Sequence, residues 1–297
     1  MTRHFPALRV ALLCLALGTF ATRAAADTAA HEQLTRIAHA YIDAMAADDP
    51  ITATALGLPG ADGKLAMPSE AAREARIARL RAWKAEVDAV AAGATTLVDA
   101  DDVRLLRAEF DSSLNELVVR QGDRKDYAGP ALRLVGALFG QFLHLPIAGS
   151  DGALPADVDR AWDDIVARLE QGPAFIVAGQ RLVTRPGRLF GTVGSRRLAG
   201  APDFLAGALS EAATAQLARR PEVLARFVAG RDRTLATMAE TRAFIDANVA
   251  AWPDNHVIGK AAYEQMLREE QLLPFDSADL ERMARDELRT AGPRKRG

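Results

Sequence analysis

His31 and Glu32 open a short stretch, "HEQLT" (residues 31–35), that begins like the helical zinc motif with two histidines one turn apart and a glutamate beside the first. The fifth residue is Thr35, so the second ligand is missing. His39 lies two turns beyond His31, too far to share an ion without a large bend. His39 and Asp43, four apart, could both touch one ion, but such a pair on a helix surface is ordinarily a solvent-exposed contact. Serine chemistry lacks its local signatures. Ser150 in "AGSDG" and Ser195 in "VGSRR" have Ala148 and Val193 where a nucleophile elbow places its first glycine, and no serine is followed by x-x-Lys. The acid pairs Asp163-Asp164 and Glu269-Glu270 are adjacent, so on a helix they diverge and do not converge on one bond. "DDPITATALGLPGADGKL" (residues 48–65) nearly spells a phosphate loop. However, Gly57 comes one residue early, and Leu65 follows Gly63-Lys64 where a metal-binding hydroxyl belongs. The residues alone therefore assign no catalytic, cofactor-binding or metal-ligating position.

The elements that would position any such group are helical. The chain has 297 residues, 49% of them hydrophobic, which is ample for a core, and its alanine content favours helices. A formal net charge of −2 leaves no basic footprint for nucleic acid. Apolar residues recur at three- and four-residue steps: Leu34, Ile37, Tyr41, Ile42 and Met45; Ile77, Leu80, Trp83, Val87 and Val90; Val103, Leu106, Phe110 and Leu114; Val158, Trp162, Ile165 and Leu169; Val223, Phe227, Leu235, Met238 and Ile245. No run alternates like a strand. The reading is an all-α fold, an irregular bundle of mostly antiparallel helices without a sheet, with Tyr41, Trp83, Phe110, Trp162, Phe227 and Ile245 in the core.

Boundary signals divide these stripes. Asp48 or Asp49 is expected to cap a helix begun by Pro50, which Gly57 ends before an Asp62-Gly63 turn. Asp99 or Asp101 is expected to cap the helix carrying Val103. Gly172-Pro173 and Arg220-Pro221-Glu222 each read as the end of one helix and the start of the next. "ALRLVGALFGQFLHLP" (residues 131–146) is the most apolar stretch of the mature chain. Arg133, Gln141 and His144 argue against a membrane span and for a buried central helix, with Gly136 and Gly140 spaced for close helix approach. The four arginines of "TRPGRLFGTVGSRRL" (residues 184–198) could face an anion but read as a solvated helix face.

Arg3, His4 and Arg9 precede the apolar run Val10–Phe20, and Ala24 and Ala26 occupy the small positions before a cleavage point. This is the pattern of a signal peptide over residues 1–26 and implies a periplasmic or secreted protein. The only cysteine, Cys14, lies inside that segment. Leu13 stands where a lipoprotein signal wants a small residue, so lipidation is not expected. The mature chain has no disulfide, thiol nucleophile or thiolate metal site. Cleavage removes three arginines from a formal charge of −2 and leaves −5. Residues 27–290 read as a single helical domain, with 291–297 a disordered basic tail.

The opening loop also carries a resemblance. Its "x-P-x-x-A-T-x-L-G" element (Pro50, Ala53, Thr54, Leu56, Gly57) and Asp-rich turn resemble the start of the bacterial domain-of-unknown-function family number 885. The likeness continues through "DFLAGALSEAA" (residues 203–213). It extends to a "G-x-x-x-Y-x-x-x-L" element at Gly259, Tyr263 and Leu267, followed by a helix rich in Glu and Leu. The resemblance implies a helical, metallopeptidase-like and often exported protein. Full-length members carry a His-Glu zinc motif and later histidines beyond the part matched here, so none of those residues is carried over. The implied chain is the N-terminal portion of such a hydrolase, inactive alone, without a cofactor of its own, whose partners are a peptide or the missing C-terminal half. The amphipathic helix from Asp276 to Thr290, with Leu280, Met283, Ala284 and Leu288 on one side, would then lack its covering helices and favour self-association. The alternative is a complete helical periplasmic binding or interaction protein without catalysis.

Overall fold

The structure is a computed structural model that describes residues 29–94, 96–146 and 157–291. The expected signal peptide, Ser150 and the basic tail from residue 292 onward lie outside the described residues. Within them there is no strand. In chain order the helices are α1 (residues 29–48), α2 (Pro50–Ala55), α3 (Glu70–Val90), α4 (Leu97–Asn115), α5 (Gly122–Lys125), α6 (Gly129–Leu143), α7 (Val158–Arg181), α8 (Arg188–Leu198), α9 (Leu209–Gln216), α10 (Pro221–Asn248), α11 (Lys260–Gln265) and α12 (Ser277–Thr290). No helix among the described residues is long and apolar enough to cross a membrane.

The described residues fall into two compact units, one from residues 29–42, 78–114 and 263–291, the other from residues 43–77 and 115–262. No linker marks the division, because α3 and α11 each run from one set of residues into the other. In the first unit α3 and α4 run antiparallel, with Arg107 Nε donating to Asp88 at 2.7 Å and Lys84 paired with Asp111. Tyr41, Trp83 and Phe110 pack ring on ring, with centroids 5.3 to 6.1 Å apart. Only Phe110 of the three is fully buried. Tyr41 and Trp83 are half-buried, a correction to their expected core placement: the Tyr41 hydroxyl reaches outward to the exposed Glu109 carboxylate.

The start of α4 also differs from expectation. Thr96, not an aspartate, is the cap: its hydroxyl accepts the Asp99 backbone N–H at 3.0 Å and donates to the Asp99 carboxylate at 2.7 Å. Asp99 thus sits three positions into the helix, where a carboxylate suits the positive end of the dipole. At the other end of the unit α12 begins with a reciprocal capping box between Asp276 and Asp279. None of its residues is buried, and Met283 and Leu288 stay 48% and 77% exposed, so its apolar side is uncovered within the described chain.

The second unit is built on α7. Antiparallel α6 lies against it, with Gly179 facing Pro130 and Gly172 facing Leu134. Helix α10 packs on α7 in the parallel sense, since α8 and α9 intervene. Trp162 meets Phe227 edge to face at 5.8 Å, and Gln180 donates to Thr241 at 2.7 Å. Trp162, Phe227 and Ile245 are fully buried, as their stripes imply. Helix α8 turns back antiparallel on α10, and the arginines of residues 184–198 are exposed, the solvated-face reading.

Two local expectations are corrected here. Gly172-Pro173 does not end a helix; α7 runs unbroken through Pro173. Proline has no N–H for the carbonyl four residues earlier, normally a reason for a helix to break. That carbonyl is Leu169's, and the buried Thr234 hydroxyl donates to it instead, at 3.2 Å. Helix α6, expected to be buried throughout, is amphipathic: Leu134 and Leu138 are buried while Phe139 and Leu143 are exposed.

Candidate functional site

The loop that raised the phosphate question is held by side chains from later helices. Asp49 caps α2, accepting from the Thr52 N–H at 3.1 Å and the Thr52 hydroxyl at 2.7 Å, and Pro50 begins the helix. Burial alone would raise the Asp49 carboxyl. The charge of Arg133 and the Thr52 hydrogen bonds outweigh that and hold it below the ordinary carboxylate value. Gly57, at φ +72°, ends the helix in a Schellman closure: Gly57 N–H donates to Thr54 O at 3.0 Å and Leu58 N–H to Ala53 O at 2.9 Å. The chain then turns at Asp62-Gly63, with Lys64 N–H donating to Ala61 O at 3.0 Å. The cap, the Gly57 stop and the Asp62-Gly63 turn are those the sequence suggests.

Carbonyls in this loop need donors, and α7 supplies them. Arg168 has no exposed surface; its Nε donates to Lys64 O at 3.3 Å, and its Nη2 to Pro50 O and Ala61 O at 3.3 Å and to the Thr54 hydroxyl at 2.7 Å. Gln171, one turn on, donates to Gly63 O at 2.8 Å and accepts from Leu65 N–H at 3.1 Å. Gln141 of α6 donates its Nε2 to Asp62 O at 2.8 Å.

Between α2, the loop, α6 and α7 lies a cleft of about 980 Å³, within the span of small-molecule sites. Ile51, Leu56, Leu58, Ala137 and Ala161 make its apolar walls, and Arg133, Gln141, His144, Asp62, Asp164 and Arg168 contribute the polar groups. Gly136 and Gly140 also line it. A Cβ at either would meet nothing within 4 Å, so these glycines keep the cleft open and do not bring helices together, contrary to the spacing argument. Burial, then the neighbouring Asp62 carboxylate, push the Asp164 carboxyl above its ordinary value. Burial depresses Arg168, and Asp62, Asp164 and Asp49 act against that. Two buried atoms here have no partner, Arg168 Nη1 and Gln141 Oε1.

Most of the residues weighed for chemistry in the sequence fall elsewhere. His31 Nδ1 lies 2.9 Å from Asp99 Oδ1, and with Asp102 the three place one potential ligand atom each within 4.8 Å of one another. Asp99 is already committed to Thr96 and His31, and His31 is exposed. His39 and Asp43 are exposed on α1. Ser195 of α8 donates to Asp246 of α10, a tie between helices. Asp163 and Asp164 do diverge: Asp163 accepts from Arg220 at 2.7 Å, and Asp164 lines the cleft. The cleft residues were missed, yet a signal existed. Ala161, Asp164, Arg168 and Gln171 form a second helical stripe beside the apolar one of α7.

Fold and site together define an all-α protein with a loop-roofed cleft set on one central helix. The family described as Bacterial protein of unknown function (DUF885) matches residues 50–293, and the chain belongs to it. A solved structure, a candidate lipoprotein of unknown function from Shewanella oneidensis, shares the fold at a TM-score of 0.70 and 19% identity; the match covers 87% of this chain. The chain spans 46% of the length of that protein. No curated protein matches the chain at a significant level.

Proposed function

We propose that this chain is an exported binding protein whose cleft takes a small organic ligand and carries out no chemistry on it. The observation that carries this reading is the cleft itself, about 980 Å³, lined by two glycines at which an added Cβ would meet nothing within 4 Å. Arginine, amide and carboxylate groups meet there beside apolar walls, the composition of a recognition site. The hydroxyl among its lining residues, that of Thr54, accepts from Arg168 Nη2 at 2.7 Å. Export rests on the charged start, the apolar run and the alanines before residue 27.

A thermal-shift panel of amino acids, peptides, sugars and nucleotides tests it, run on the mature protein and on Gly140→Leu, which would fill the cleft. At least one class should raise the melting temperature of the parent and leave the variant unmoved. A panel without such a class would sink the reading.

A second reading is favoured by the length relation to the solved neighbour. The chain then forms the ligand-binding wall of a longer, metallopeptidase-like hydrolase and is inactive alone. Metal analysis and peptide-hydrolysis assays on the purified chain test it. Substoichiometric zinc and no chelator-sensitive cleavage are expected; stoichiometric zinc with such cleavage would reject an inactive wall.

A further inference from the structure

The polar groups around the cleft are committed within the protein. Arg168 Nε and Nη2 are bonded to the loop and the Thr54 hydroxyl, and Gln141 Nε2 to Asp62 O. Arg168 Nη1 and Gln141 Oε1 have no partner, but both atoms are buried and out of a ligand's reach. The charges balance as well. Arg133 pairs with Asp49, and Asp164 lies 3.9 Å from Arg160. Burial depresses Arg168, and Asp62 is foremost among the carboxylates acting against that. A charged ligand group would find no unmatched partner among them.

What remains for a ligand is apolar surface laid out in a line. On α6, Arg133, Gly136, Ala137, Gly140, Gln141 and His144 form one stripe of about three turns, about 16 Å along the axis. Gly136 and Gly140 leave the middle of that stripe without side chains, and an added Cβ at either would meet nothing within 4 Å. Ala161 of α7 lines the same cleft, and α2 and the loop bring Ile51, Leu56 and Leu58 to it, with Leu56 63% exposed. Arg133 and His144, both exposed, mark the two ends of the stripe. Such a trough suits a ligand that is long and apolar, with any charged group left in water at an end. Carbon–carbon bonds of about 1.5 Å advance an extended chain by about 1.3 Å per carbon, so the stripe matches about twelve carbons.

Resting on the binding reading above, we propose that the cleft takes the extended alkyl chain of a single-chain amphiphile, with the head group left in water at one end of the trough. The chain lies along Gly136 and Gly140, with Ile51, Leu56 and Leu58 against it. Affinity comes from apolar area removed from water, so it follows chain length and not head charge. No bond is made or broken.

Calorimetric titration of the mature protein with hexanoate, octanoate, decanoate, dodecanoate and tetradecanoate, each below its micelle concentration, tests this. Affinity should rise about two- to fourfold with each added methylene as far as dodecanoate and level off beyond it. Decanoate, decyltrimethylammonium and 1-decanol put an anionic, a cationic and a neutral head on one chain, and should bind within about fivefold of one another. Gly136→Leu and Gly140→Leu, each checked for a cooperative melt, should weaken decanoate by at least about tenfold. If either variant fails to fold, the chain-length and head-group series on the parent decide. Affinity independent of chain length, a preference of more than about tenfold for one head charge, unchanged decanoate binding in both folded variants, or no decanoate binding would overturn the proposal. The decyl compounds also join the thermal-shift panel as a further class. If another class there responds to Gly140→Leu while the decyl compounds do not bind, only the ligand assignment fails. If no class responds, the binding reading fails with it.

Discussion

Thr234 on α10 supplies the hydrogen bond that Pro173 denies to Leu169 on α7: its hydroxyl donates to the Leu169 carbonyl at 3.2 Å. Gly172 and Gly230 make this approach possible. A Cβ at Gly172 would come within 2.7 Å of Leu134 and 3.0 Å of Thr234 Oγ1, and one at Gly230 within 3.1 Å of Leu169. Helix α7, much of it buried, therefore depends at Pro173 on a side chain more than sixty residues away in sequence.

Thr234→Val keeps the shape and removes the donor, leaving a buried carbonyl unpaired at a cost of about 1–3 kcal/mol. In a Pro173→Ala background the alanine N–H serves that carbonyl, and the same change should cost much less. Urea unfolding of the four proteins measures the coupling. Equal losses in both backgrounds would show that Thr234 stabilises the helix pair by some other contact.

The glycines of α6 and α7 should respond in opposite directions. Gly136→Ala and Gly140→Ala enter open space inside a helix and should each stabilise by about 0.5–1 kcal/mol. Gly172→Ala meets Leu134 and Thr234 and should destabilise by about 1–3 kcal/mol. Thermal melts of the three variants decide it; a destabilised Gly136→Ala would mean the cleft wall is more tightly packed than described.

Helical stripes, the α2 cap and the Gly57 stop were legible because each depends on a few neighbouring residues. Phe110, Trp162, Phe227 and Ile245 are buried where their periodicity puts them. Pro173 misled because the local rule is correct and a distant hydroxyl overrides it. Gly136 and Gly140 misled for a related reason: their spacing suits a helix contact and a cleft wall equally, and only the tertiary fold chooses. Arg168 was hidden because a charged residue beside an apolar stripe reads as solvated. Here its partners are backbone carbonyls more than a hundred positions earlier.

The cleft carboxylate gives a pH signature. Asp164 is held above its ordinary value of 3.8, so the folded protein keeps a proton that the unfolded chain has released. Its contribution to stability declines as pH rises from that ordinary value through the raised folded one. Asp164→Asn should accordingly be more stable than the parent at neutral pH, with the advantage vanishing on the acid side of 3.8. Asp49, held below its ordinary value, acts in the other sense: its contribution is present above that value and is lost as pH falls through the lowered one. Urea midpoints across this range measure both, and a pH-independent gap for Asp164→Asn would contradict the raised carboxyl.

Processing after Ala26 predicts a mature amino terminus at Asp27. Intact-mass analysis of protein from the periplasmic fraction should find that form; a full-length Met1 species extracted only with detergent would reject export by cleavage.

The anchoring of the opening loop by Arg168 and Gln171 also bears on how the molecule comes together in time. Arg168 bonds Pro50 across 118 residues and Ala61 across 107, and Gln171 bonds Gly63 across 108. Closing so long a segment is entropically costly, and contacts of this range form after local ones. Residues 50–65 can take their final path only once α7 exists, so the loop side of the cleft is the late product of folding and the helices beneath it the early one. Weakening these anchors should leave the refolding rate nearly unchanged and speed unfolding.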